Sequence, residues 1–191
     1  IFATDGFVNS KRGSYPFGKV GSASFTSTNG SKLGSAIAGS GYSGTVFEPI
    51  DEFKGDIARS YFYFATRYES LMDDFYIGAN ASSCEAKNMF DGSTNKVFSD
   101  SFILLLIKWH KQDPVSAKEI AQNNAIYNFQ GNRNPFIDNP NYVCDIWITQ
   151  CNTVDILSSE SFAFENTISI YPNPAINNEV TISSETELKS I

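Results

Sequence analysis

With 191 residues and 21.1 kDa, 41% of them hydrophobic and 14% aromatic, the chain has enough apolar material for one substantial core plus a tail. Its longest apolar run, residues 102–107, is bounded by Ser101 and Lys108, far short of the roughly 20 residues that span a bilayer. The net charge of −7 argues against a polyanionic partner overall, but residues 1–70 hold seven Lys or Arg against six acids, a net +1 that leaves −8 for the rest.

The sequence opens on IFATDG, with neither an initiator Met nor a basic-then-apolar export signal, an opening expected of a fragment whose true start lies upstream. Asp5 is suited to cap a short helix running through Arg12 and stopped by Gly13, which presents Asn9 and Arg12, three apart, on one face. Lys11, Arg12 and Lys19 form a local basic cluster that can face phosphate. From Gly18 to Gly44 the composition is rich in Gly, Ser and Thr and reads as loop with short strand segments. Residues 54–68, KGDIARSYFYFATRY, carry apolar side chains at 57, 61, 64, 65 and 68, the spacing of an amphipathic helix.

A second helix is expected from about Asp100 to the Asp113–Pro114 break, apolar enough to be central in the core. A third follows, with Pro114 in its first turn, Ser116 and Glu119 spaced as a capping box, and Gly131 as its stop. GNRNPFIDNPNYV then reads as a turn-rich loop running up to Ile146 and Trp147. Beyond Cys151 the chain turns to Ser, Thr, Asn and acids, with one Lys against six acids over residues 152–191, so a boundary is expected near 152–165. ISIYPNPAINNEVTISS alternates like a strand, turns at Pro172 and Pro174, and alternates again, as the start of an all-β module would.

Few side chains offer chemistry. His110, the single histidine, lies inside an apolar helix, where a packing role is more common than a base. There is no GxSxG elbow to make it part of a triad, and neither GxxxxGK nor a GxGxxG after a strand to cradle a nucleotide. Cys84, Cys144 and Cys151 permit at most one disulfide and lack the CxxC pairing of a zinc site. Asp73 and Asp74 read as a solvated acidic turn rather than a cation site. Asn9 remains as a neutral oxygen ligand for a hard cation such as Mg²⁺, with Arg12 one turn on to hold a phosphate oxygen.

Three runs in order, ATDGFVNSKRGSYPFG, VFEPIDEFKGDIARSYFYFATRY and WHKQDPVSAKEIAQNNAIYNFQGNRNPFIDNPNYVCDIW, resemble the bacterial endonuclease I family of secreted nonspecific nucleases over about residues 1–147. The resemblance implies an α+β fold, a mixed helical domain with a ββα-metal (His-Me) finger, and Mg²⁺-dependent hydrolysis of DNA and often RNA. It assigns Asn9 as a metal ligand and Arg12 to the same helix, with Lys11 beside it. Arg59 of the GDIAR element then either contacts phosphate or pairs with a carboxylate. The family's Glu–His pair, a metal ligand and the general base, stands upstream of the ATDG run and is not among these residues. A chain of residues 1–191 alone is therefore expected to cut DNA poorly or not at all.

The tail, FENTISIYPNPAINNEVTISS, resembles the start of the C-terminal sorting domain read by the type IX secretion machinery of Bacteroidetes. The expected organisation is thus 1–151 nuclease domain, 152–165 linker and 166–191 partial sorting domain, in a monomer that is secreted or held at the cell surface. Two rival readings remain at this stage: a nucleic-acid-binding or surface protein that keeps the fold without the chemistry, and a phosphoesterase for small substrates.

Overall fold

A computed structural model describes residues 5–81, 84–166, 168–176 and 179–184. Its elements run α1 (Gly6–Arg12), β1 (Val20–Thr26), β2 (Lys32–Ala36), β3 (Thr45–Glu48), α2 (Lys54–Arg67), α3 (Met72–Ala81), α4 (Asp100–Gln112), α5 (Ala117–Gln130), α6 (Pro135–Asp138), α7 (Tyr142–Ile146), α8 (Ile148–Asn166), β4 (Ile168–Ile176) and β5 (Glu179–Ser184). The fold class is α+β, as expected. Two compact units result, Ile1–Gln150 and Cys151–Ile191. No described helix is long and apolar enough to cross a membrane.

In the first unit β1, β2 and β3 form an antiparallel sheet in sequence order. The Gly/Ser/Thr-rich stretch thus holds the short strands expected of it, β1 and β2, paired with each other. Gly34 permits it: a Cβ there would stand 2.0 Å from the Ser22 carbonyl oxygen on the neighbouring strand. The PFG run adds to β3, since Phe47 N–H donates to Pro16 O (2.9 Å) and Gly18 N–H to Phe47 O (3.1 Å).

The core lies between α2 and α4, with Phe62, Phe98, Leu106, Ile107 and Val143 fully buried. The Phe62 ring meets Trp147 at 4.9 Å and Phe136 at 5.7 Å between centroids, two contacts supplied by the segment expected to be only loop, where α6 and α7 form. Helix α2 is present as expected, with Ala65 of the expected apolar set buried and Ile57 and Tyr61 half-buried, but its most buried face is shifted from that stripe. Ala58, Arg59, Phe62 and Ala65 are inside, whereas Phe64 and Tyr68 are exposed. The physical reason is that Arg59 is neutralised in the interior by Asp56 of its own helix and by Glu119 of α5, so the face carrying Ala58, Arg59, Phe62 and Ala65 packs inward.

Helix α5 begins as expected at the Ser116–Glu119 capping box and ends at Gly131 (φ 68°), but Pro114 lies before the cap rather than in the first turn. Asp113, just before it, reaches across to α2: its Oδ2 accepts from Gly55 N–H at 2.8 Å, satisfying one of the amides that a helix start leaves open. Cys144 and Cys151 are disulfide-bonded and Cys84 is free.

The segment expected to link the domains, 152–165, lies within α8. In the second unit β4 and β5 pair antiparallel from Ile168↔Ser184 to Tyr171↔Thr181. The register then breaks before Ile176↔Glu179, which places Pro172 and Pro174 in the irregular part of the strand rather than at its turn.

Candidate active site

Asp5 caps α1 through Oδ1, which accepts from Phe7 N–H (3.0 Å) and Val8 N–H (3.1 Å), and Gly13 ends the helix at φ 50°. The short helix thus holds a fixed rotation, with Asn9 and Arg12 both on the wall of a cleft of about 720 Å³. The end of β1 and the turn after it, Thr26 to Asn29, line the same cleft with Ser31, and Phe17, Phe47 and Ile57 add apolar lining. Ser27 Oγ is tied to Asn29 Oδ1 and to Ser31 O, so the turn is braced by its own side chains.

Asn9 is exposed, and its side-chain amide has no partner among the described residues. Arg12 stands over an aromatic shelf, its guanidinium carbon 4.1 Å from the Phe17 ring centre. Phe17 is held in turn by edge contacts to Phe47, Tyr61 and Trp109 at 5.9–6.2 Å. Burial pushes the Tyr61 phenol up, against the pull of the Arg12 guanidinium beside it. Arg12 Nε is buried without a hydrogen-bond partner, the one such side-chain nitrogen or oxygen among the described residues. An unmet donor costs about 1–3 kcal/mol.

Of the other residues of the expected phosphate-binding set, Lys11 stands at the edge of the cleft, its Nζ 5.3 Å from the ring centre of Phe7 and 5.7 Å from that of Phe25, two residues of the cleft lining. Arg59 is fully buried behind α2, and its N–H groups are all taken. Nε donates to Glu119 Oε1 (2.8 Å), Nη2 to Glu119 Oε2 and Asp56 Oδ1 (3.3 Å), and Nη1 to Asp113 O (2.8 Å) and His110 Nδ1 (3.4 Å). Of the two roles left open by the sequence, the structure places Arg59 in carboxylate pairing, with no donor left for a phosphate.

His110 belongs to the same interior cluster. Because Arg59 can only donate to Nδ1, the proton sits on Nε2 and is donated to Pro140 O at 3.1 Å. Burial, followed by the Arg59 charge, pushes the imidazole down to about 4, so it is neutral and committed at both nitrogens. Asp56 is pushed up to about 7 by burial and by the neighbouring Glu119. Asp73 and Asp74 begin α3, and no group of three or more His, Cys, Asp or Glu among the described residues is placed to hold a metal.

The Endonuclease I family model matches residues 1–141, the stretch that builds this cleft. The chain belongs to the Endonuclease I family. It is 38% identical over 141 residues to a protein named extracellular ribonuclease from Bacillus amyloliquefaciens, and 36% identical over 143 residues to one of the same name from Bacillus subtilis (strain 168). Each alignment covers 73% of this chain and 42% of the relative, so the chain spans about two fifths of the length of these curated relatives. No solved structure matches. As an Endonuclease I chain it shows two features that sequence reasoning passed over. PFG builds the shelf under Arg12 as well as turning away from α1, and the Thr26–Ser31 turn lines the same cleft. Only the aromatic between Pro and Gly, placed after a basic helix, hinted at the first.

Proposed function

We propose that the chain supplies one half of the active site of a secreted nonspecific endonuclease that hydrolyses phosphodiester bonds of nucleic acid. The reading rests on one observation: in an Endonuclease I chain, an unpartnered Asn9 amide and an unmet Arg12 donor share the wall of one cleft. Both relatives bear the name extracellular ribonuclease, which favours RNA among the substrates and an extracellular location, and DNA is the second substrate of the reading.

The residues present suit a hard divalent cation. A side-chain amide oxygen is a neutral, exposed ligand of the kind that a Mg²⁺ ion keeping most of its waters accepts. When bound, such a cation supplies positive charge against the phosphate and the leaving oxygen. Asn9 would hold it. Arg12 orients the phosphate and neutralises one of its oxygens, and the aromatic shelf fixes the planar guanidinium so that little freedom is lost on binding. Contacts to phosphate alone carry no base information, which accounts for cutting without sequence preference.

The general base of this reading is the Glu–His pair that the family resemblance puts upstream, outside residues 1–191; His110 is buried, neutral and hydrogen-bonded at both nitrogens. The second unit fits the start of a type IX sorting domain through its YPNPA run and its antiparallel strand pair, and deletion of 166–191 should strand the enzyme inside the outer membrane of its host.

The test is cleavage of single-stranded RNA and of plasmid DNA by the full-length protein, with Mg²⁺ or with EDTA. Expected is Mg²⁺-dependent cutting that Asn9→Ala lowers at least about 100-fold, beyond the usual effect of losing a mere support of a ligand. Binding of nucleic acid with no cutting in Mg²⁺ would overturn the enzyme reading in favour of a binding protein.

A further inference from the structure

Phe7 is the unexplained residue of the cleft. It stands on α1 with 61% of its surface exposed, although its neighbours there serve caps, ligands or packing. A lone exposed aromatic needs no explanation. Phe7 is not alone, because Phe25 on β1 meets it edge-on, with ring centroids 5.8 Å apart and planes at 72°, and Lys11 Nζ lies against both rings. Phe7 and Phe25 line the same cleft as Asn9 and Arg12. The result is a rigid, half-open aromatic corner with one cation at its edge and a second, Arg12, one turn and a half along the helix.

That distance has a meaning for nucleic acid. Five residues at 1.5 Å each put Phe7 about 7.5 Å from Arg12 along the axis, on the order of one nucleotide step. A phosphate held at Arg12 would therefore bring the base of a neighbouring nucleotide to Phe7. Aromatic rings accept any base, whose flat face stacks on them, whereas a base inside a duplex has both faces covered by its neighbours. The flanking cations Lys11 and Arg12 match the phosphates on either side, and Asp5, which caps the helix, is the one acidic side chain among the described residues of the lining.

We propose that Phe7, backed by Phe25 and Lys11, is a stacking platform for an unpaired nucleobase next to the phosphate at Arg12, so that the cleft selects single-stranded over duplex nucleic acid. This inference rests on the nuclease reading of the cleft and goes beyond it by naming the strandedness of the substrate and the residue that reads it.

The test measures binding, so it does not depend on turnover. Fluorescence anisotropy in EDTA compares three probes of equal length, about a dozen nucleotides: a mixed-sequence single-stranded DNA, the same backbone carrying tetrahydrofuran in place of every base, and the duplex. The protein should bind the base-bearing single strand about ten-fold more tightly than the base-free one. Phe7→Ala should erase that ratio, weakening the single strand about ten-fold while leaving the base-free strand and the duplex unchanged. Phe7→Trp, with a larger ring, should keep or raise it, which separates stacking from any general damage to α1.

Equal binding of base-bearing and base-free strands, unmoved by Phe7→Ala, would overturn the stacking platform and leave the nuclease reading standing. A loss in Phe7→Ala that is the same for all three probes would overturn it too, since that marks a disturbed helix. Absence of binding to every probe would overturn both.

Discussion

Replacing Arg59 by alanine tests whether the cluster behind α2 is structural and what it contributes. The side chain is 0% exposed, and its partners Asp56 and Glu119 are 6% and 3% exposed, so the substitution strands two carboxylates in a poorly solvated interior. Breaking a buried pair in this way costs roughly 3–5 kcal/mol, a large share of a total stability of about 5–15 kcal/mol. For a chain of this size each kcal/mol moves Tm by about 2–4 °C, which gives a fall on the order of 10 °C. A thermal melt followed by far-UV circular dichroism measures it, with urea unfolding as the second axis. At a temperature where the variant is still folded, its affinity for nucleic acid should match that of the parent, because no Arg59 donor faces the cleft. A stability loss below about 1 kcal/mol, the range of an exposed ion pair, or a folded variant with weakened nucleic-acid binding, would refute the reasoning.

Gly55→Ala should destabilise by at least about 1–3 kcal/mol in the same melt, since the new methyl would sit 2.0 Å from Asp113 O and under 3 Å from the Arg59 guanidinium. His110 gives a pH dependence. Its folded value of about 4 lies below the ordinary 6.5, so its contribution is present above pH 6.5 and is lost as pH falls toward 4. Asp56 acts in the opposite sense: raised to about 7, its contribution is present below about pH 4 and is lost as pH rises to 7. The stability difference between the parent and His110→Asn, followed by urea titration from pH 7 to 4, isolates the histidine and should shrink on acidification; a difference that is flat or grows would contradict the buried neutral imidazole.

The ends of the helices were legible because caps are local chemistry. Asp5, Ser116 and Gly131 act on amides and carbonyls within one turn of themselves, and each does in the fold what its position suggests. The buried face of α2 was not fully legible, because it is decided by partners 51 to 60 residues away: Arg59 enters the core only in the company of Glu119, Asp113 and His110. A pattern of apolar side chains cannot register a charge that is neutralised from another helix. Short strands were expected between Gly18 and Gly44, but their pairing was not legible, since Gly34 weakens the strand signal while permitting the close strand approach. For the site, Asn9 and Arg12 were visible as two residues on one short helix. The cleft they share needs Phe17 beneath Arg12 and the Thr26–Ser31 turn in its lining, and that proximity arises only from the pairing of Pro16 and Gly18 with Phe47.

The central claim is that Asn9 serves a cation and Arg12 a phosphate. Single-turnover cleavage of RNA by the full-length protein, with Mg²⁺ and enzyme varied independently, separates the two roles. For Asn9→Ala the account predicts activity that recovers in part as Mg²⁺ is raised, with little change in the enzyme concentration needed for half-saturation. For Arg12→Ala it predicts the reverse: a raised half-saturating enzyme concentration that extra Mg²⁺ does not restore. If the two variants respond alike to Mg²⁺, or if Asn9→Ala cuts as the parent does at every Mg²⁺ concentration, the division of labour assigned to this helix is wrong.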